Sequence, residues 1–197
     1  IGFKNIVLLK HGESFTVKNI TITPYQFGLF LNDSAVVVET SDFKLLNAND
    51  CKIAGPSLRY VLKKHGQLDF ALRSHSSAND RVCYSIRNDP NFRNDDQLHY
   101  ARSFKLFMDA VKPRYAIPFA SNHVHLHKDV YSNNSIVNDP YKLKDTIEEL
   151  GGLNCGLKIM LSGDQWDSKT GFSIFDKSHK CFSNKKLMLE QYLEEKK

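Results

Sequence analysis

The chain has 197 residues, 41% hydrophobic and 25% charged, with a formal net charge of +5, the composition of one ordinary globular domain with a core to bury. No apolar run approaches the roughly 18 residues of a membrane span, and no basic, apolar and small-residue leader opens the chain. The basic residues are dispersed rather than gathered into the aromatic-interleaved patch of a nucleic-acid binder, so nucleic acid is not an expected partner.

In chain order, the opening part reads as strands. "KNIVLLK" (4–10) is a short apolar run and "HGES" (11–14) a turn. "FTVKNITITPY" (15–25) alternates apolar and polar residues with β-branched enrichment, the pattern of a half-buried strand. "DSAVVVET" (33–40) is an apolar strand, and "KLLNANDC" (44–51) is a shorter one that ends in polar residues. Together they predict an antiparallel meander. The pattern then changes. "GPSLRYVLKKHGQ" (55–67) carries Pro56 and Ser57 at a helix start and Gly66 as its stop. "LDFALRS" (68–74) is a buried strand, and the amphipathic "DDQLHYARSFKLFMDAVKP" (95–113) is a helix ending before Pro113. "RYAIPFAS" (114–121) is the next strand. "DPYKLKDTIEELG" (139–151) is a helix with Asp139 as N-cap, Pro140 in the first turn and Gly151 past the end. "GLKIMLSGDQW" (156–166) is a strand and turn, "GFSIF" (171–175) a last strand, and the mixed-charge "NKKLMLEQYLEEKK" (184–197) a solvated terminal helix. Strands first and strand–helix alternation after them predict an α/β layered fold, with one domain over 1–183 and a C-terminal helix over 184–197.

Polar residues recur where predicted strands end, which is where α/β folds place ligands. Asp50 follows the strand "KLLNAN"; it is either a hard oxygen ligand or a cap of the next turn. His75 and Ser77 follow "LDFALRS" in "SHSSAND". His123, His125 and His127 follow "RYAIPFAS" on alternate positions, and residues i, i+2 and i+4 of an extended segment share one face. Asp164 follows a fourth strand in a Gly–Asp pair, which is also a plain turn former. Neutral imidazole is the commonest metal ligand, so these ends describe a polar rim above an apolar sheet. Asp50, His75, His123, His125 and His127 are candidate metal ligands or structural polar residues. Substrate contacts are expected at Ser77, His123, His125 and Asp164. Cys51, Cys83, Cys155 and Cys181 form no CxxC pair and match no zinc-finger spacing; reduced thiols in a cytoplasmic protein are the expectation.

"LLNANDC" (45–51), "VKPRYAIPFASNHVHLH" (111–127) and "NDPYKL" (138–143) resemble, in this order, the second half of a metallo-β-lactamase-fold protein. Within that fold they look most like the metallo-β-lactamase-like region of the CMP-N-acetylneuraminate hydroxylase family. The resemblance covers about two-thirds of the chain. It implies an αββα sandwich, of which this chain holds the C-terminal half or more, with a metal centre at the sheet ends in which Asp50 is a ligand and His75 and His127 complete the set. His127, at a position where the hydroxylase-like sequences carry histidine, is the one of its group expected to point inward. The metal it implies is zinc or iron, and the activity is that of a metal-dependent hydrolase or oxygenase component acting on a small polar, sugar- or phosphate-containing substrate. Two departures are visible. The family's His-x-His-x-Asp-His signature belongs upstream of "DSAVVVE" and is missing, and Ala120 stands where related hydrolases carry a histidine after the strand's proline. No Rieske pattern of paired Cys and His occurs either. A separate N-terminal segment or an electron-transfer partner is therefore implied, and Ile1 in place of Met is the start expected of a fragment or processed product. The competing expectation is a degenerate, non-catalytic binding module of the same fold.

Overall fold

The computed structural model describes residues 2–28, 33–76, 97–120, 124–128, 131, 134 and 138–195. Its chain order is β1 (Phe15–Val17), β2 (Ile20–Phe27), β3 (Asp33–Glu39), β4 (Lys44–Asn49), α1 (Gly55–His65), β5 (Phe70–Arg73), α2 (Gln97–Val111), β6 (Tyr115–Pro118), α3 (Pro140–Glu149), β7 (Gly156–Leu157), β8 (Gln165–Asp167), β9 (Gly171–Ser173), α4 (Asp176–Ser183) and α5 (Lys185–Glu195). The α/β class expected from the sequence is the class observed.

Strands β1 to β7 form one sheet in sequence order. The pairings from β1 to β4 are antiparallel, as the alternating segments predict. Those from β4 to β7 are parallel. Two expectations are corrected here. "KNIVLLK" is not a strand: Ile6, Val7 and Leu8 are exposed. "FTVKNITITPY" is not one strand but two, because Lys18 takes a left-handed φ of 54° and turns the chain into a hairpin.

A parallel neighbour needs a crossover, and each crossover here is a helix. Right-handed crossovers that always step in the same direction leave their helices on one face of the sheet. The core follows that layering. Tyr25, Val37, Leu46, Ala48, Ala71 and Ala116 from the sheet join Leu58, Val61, Phe104, Met108, Leu143 and Ile147 from α1, α2 and α3 in a single cluster. Helix α3 starts as predicted, with the Asp139 carboxylate accepting from Tyr141 N (2.9 Å) and Lys142 N (3.0 Å). The β8–β9 hairpin covers the beginnings of the central strands: the Trp166 ring lies 4.9 Å from Phe70, and Phe172 lies 4.9 Å from Tyr115. The architecture among the described residues is one sheet under one helix layer; a second full sheet of an αββα sandwich is not among them.

One polar network is buried in the helix-facing layer. Tyr25 Oη lies 2.5 Å from His65 Nε2, and His65 Nδ1 lies 2.9 Å from a Glu39 carboxylate oxygen. Burial, with the charges of Tyr60 and Glu39 adding, pushes the Tyr25 phenol up to about 12. Tyr25 therefore stays a neutral hydroxyl in this network.

Candidate functional site

The parallel strands β4, β5 and β6 point their C-terminal ends the same way, and the loops leaving them meet. Ser74 N donates to Asn49 O (3.0 Å), Phe119 N to Arg73 O (2.8 Å), and His75 N to Ala120 O (3.4 Å). Asn138 Nδ2, just before α3, donates to His75 O at 2.9 Å. One rim thus collects Asn49–Asp50, Arg73–Ser74–His75, Phe119–Ala120 and Asn138. The rim location expected from the sequence rests on this pairing, because a parallel register carries every strand end to the same edge of the sheet.

Strand β4 builds the polar corner of the rim. Leu46 and Ala48 are fully buried against the helices, so Asn47, one position out of step, faces the other side of the sheet. The register shifts between Asn47 and Asn49, and Asn49 leaves the strand with a φ of 45°, a conformation that asparagine tolerates better than most residues. Asp50 follows and is exposed. The side-chain oxygens of Asn47 and Asn49 are buried and accept no hydrogen bond from the described residues. The sequence reading missed both asparagines. Their i, i+2 spacing inside an apolar strand was the available signal.

The other predicted residues are distributed as follows. His75 is buried, with 1% exposure. His125 is also buried, and Asn134 clamps its backbone, accepting from His125 N and donating to His125 O, each at 2.8 Å. His127 is exposed. This overturns the expectation that His127 points inward; His125 does so instead. The alternation argument fails because the segment around 124–127 is not a strand, so no ladder holds successive side chains on opposite faces. Ser77 and His123 lie outside the described residues.

Asp164 is fully shielded and accepts from Leu161 N (2.7 Å), Phe175 N (2.6 Å) and His179 Nε2 (2.6 Å). Burial works to raise its pKa, but these bonds together outweigh it and hold the carboxyl below its ordinary value. With Nε2–H given to Asp164, His179 Nδ1 accepts from the Tyr141 hydroxyl at 2.5 Å. The hydrogen bonds that Asp164 accepts from the described residues come from Leu161, Phe175 and His179, so the carboxylate organises that turn rather than reaching the rim. Gly163 makes the turn possible: its φ is +99°, and a Cβ there would meet Phe175 Cδ1 at 2.7 Å.

These positions do not make a complete metal centre. A catalytic zinc takes three protein ligands, and among the described residues no three His, Cys, Asp or Glu side chains converge. The expected set of Asp50, His75 and His127 is not brought together: Asp50 and His127 are exposed to solvent while His75 is sealed beneath the rim. Cys51 and Cys155 are free thiols, both raised above the usual range, first by burial.

No family profile and no curated protein matches the chain. Solved structures do. The chain is similar to a mutant of the β-hydroxylase CmlA, with 16% identity and a TM-score of 0.49 over 81% of this chain and 33% of that one. It is similar to YhfI from Bacillus subtilis, a metallo-β-lactamase-fold protein, with 10% identity and a TM-score of 0.43 over 80% of this chain and 53% of that one. A third likeness is to Tm1679, a metal-dependent hydrolase of the β-lactamase superfamily, with 6% identity and a TM-score of 0.40 over 81% of this chain and 57% of that one. The chain therefore spans between a third and somewhat over half of these matched proteins.

Proposed function

We propose that the strand-end rim binds a small polar molecule and that Asp50 is the side chain around which the site is built. The acceptor set at the end of β4 carries this reading: an exposed carboxylate beside two buried amide oxygens, Asn47 Oδ1 and Asn49 Oδ1, that accept no hydrogen bond from the described residues. Leaving a buried acceptor unmet costs on the order of 1–3 kcal/mol. The exposed Asp50 carboxylate is the acceptor a ligand can reach, and it suits hydroxyl donors and repels an anion, which favours a sugar-like molecule over a bare phosphate. Of the two forms this function can take, the described residues favour a binding module of the metallo-β-lactamase-like kind.

The stronger form is a metal-dependent hydrolase or oxygenase component. Asp50 supports it, since an oxygen ligand at the end of a parallel strand is what zinc or iron would use there. That form takes its remaining ligands from residues beyond those described, on a preceding segment or a partner, and it agrees with the resemblance to the CMP-N-acetylneuraminate hydroxylase region. The free thiols of Cys51 and Cys155 support a reducing, cytoplasmic setting. No described helix is long and apolar enough to cross a membrane.

Elemental mass spectrometry on the purified chain and on Asp50→Ala, with calorimetric titration of CMP-N-acetylneuraminate into both, tests the proposal. Stoichiometric zinc or iron that disappears in Asp50→Ala establishes the metal-dependent form. Metal-free protein that binds the sugar nucleotide through Asp50 establishes the binding module. Absence of both activities overturns the assignment of the rim.

A further inference from the structure

A second candidate site lies on the helix-bearing side of the sheet, between the start of α1 and one flank of α2. It is a cavity of about 480 Å³, within the range of small-molecule sites (about 300–1,000 Å³). Its walls are apolar, from Ile53 and Leu58 on one side and Leu106 and Phe107 on the other. Its charged side chains are both cations, Arg73 and Arg102; His99 and Ser103 are its other polar groups, and no carboxylate among the described residues lines it.

Arg73 is the unusual member. It ends β5 on the helix-facing side and is 5% exposed. Its Nη1 donates to Cys51 O at 2.5 Å, and its guanidinium lies 4.5 Å from the centre of the Phe107 ring. Neither contact is an anion, and no ion pair of Arg73 occurs among the described residues. Burial is the larger influence on it, and the Asp50 carboxylate acts on it only at longer range. Burying a cation is costly unless it is paired, and a carbonyl and an aromatic face offset only part of that cost. Helix α1 adds to the imbalance. Its N-cap is Ala54, which offers no side-chain acceptor, and its first turn holds no acidic residue, so the positive end of the helix is uncompensated where it borders the cavity.

The geometry points to a binding site for an amphiphilic anion, whose apolar body fills the space between α1 and α2 and whose carboxylate or phosphate head pairs with Arg73 and Arg102. Its cavity opens on the helix side of the strand end whose backbone joins the rim, so the two sites share Arg73 as a border, and the anion site does not depend on a metal.

The test is calorimetric titration of the whole chain in EDTA with octanoate and octyl phosphate. 1-Octanol, which has the body without the charge, and acetate, which has the head without the body, are run beside them. One octanoate or octyl phosphate per chain is expected, at least about tenfold tighter than octanol or acetate; the tighter of the two identifies the head group. Arg73→Met is the direct variant but risks the fold. Leu106→Glu and Arg102→Gln change exposed positions on the cavity wall, and each should weaken octanoate binding about tenfold with an unchanged unfolding midpoint. Asp50→Ala removes a carboxylate that acts on Arg73 from the rim side, so it should leave octanoate binding unchanged or tighter, whereas a rim ligand should be lost. Octanol binding as tightly as octanoate, no saturable binding of either anion, or binding indifferent to both wall substitutions would overturn the inference.

Discussion

Asp164 illustrates how one carboxylate can look like a ligand and serve as an anchor. Its hydrogen bonds from Leu161 N, Phe175 N and His179 favour the ionised form, so the folded-state pKa lies below the unfolded value of about 3.9. A depressed pKa contributes stability that is fully present above the unfolded value and lost as pH falls through the folded one. Asp164→Asn should therefore be less stable than the parent at neutral pH, and the gap should close below about pH 4. Urea midpoints measured from pH 3 to pH 7 check this. A gap that stays constant over that range would mean that the ionised form is not what the turn selects. The sequence marked Asp164 as interesting. It could not reveal that the donors come from residues 3 before, 11 after and 15 after it.

At the scale of elements, the helices were the most legible part of the chain. Helix α3 begins at the predicted cap and ends where Gly151 takes a φ of 90°, because capping and termination are decided by residues within one turn. Asp139→Ala should destabilise the protein by about 1 kcal/mol. Chemical denaturation measures it, with Asp139→Asn as the control that restores most of the loss. The strands were less legible. Reading 15–25 as one strand ran straight across a turn: the rhythm breaks at the adjacent polar residues Lys18 and Asn19, and that is where the chain reverses. The apolar 4–10 run has no strand partner among the described residues. Around 124–127 the same rhythm exists without a ladder, and that is why His125 rather than His127 is buried.

At the scale of the molecule, one layer of helices on one sheet makes stability depend on the seam between them. Phe104, fully buried in α2, sits in that seam with Leu46, Ala71 and Leu143 in the same cluster. Phe104→Ala should cost about 3–5 kcal/mol. Because the core is a single cluster, circular dichroism and Trp166 fluorescence should lose their signals in one coincident transition at a lower denaturant midpoint. Separate transitions would mean that the β8–β9 hairpin unfolds apart from the sheet it covers. The single layer also explains the two candidate sites. The strand ends gather the rim on one edge, and the gap between α1 and α2 opens beside Arg73 on the helix side.

The sequence by itself determined the alternation of elements, the Asp139 cap of α3 and the concentration of polar residues where strands end, since each is written within a few neighbouring residues. Tertiary structure alone decided which polar residues meet. It brought Asn138 to the backbone of His75 and Arg73 to the carbonyl of Cys51, across separations of 63 and 22 residues. It also turned Asn47 away from the helix layer and closed Asp164 into its own turn. The physical reason is that periodicity reports which face a side chain takes relative to its neighbours, whereas strand order, crossover hand and register determine what stands opposite that face.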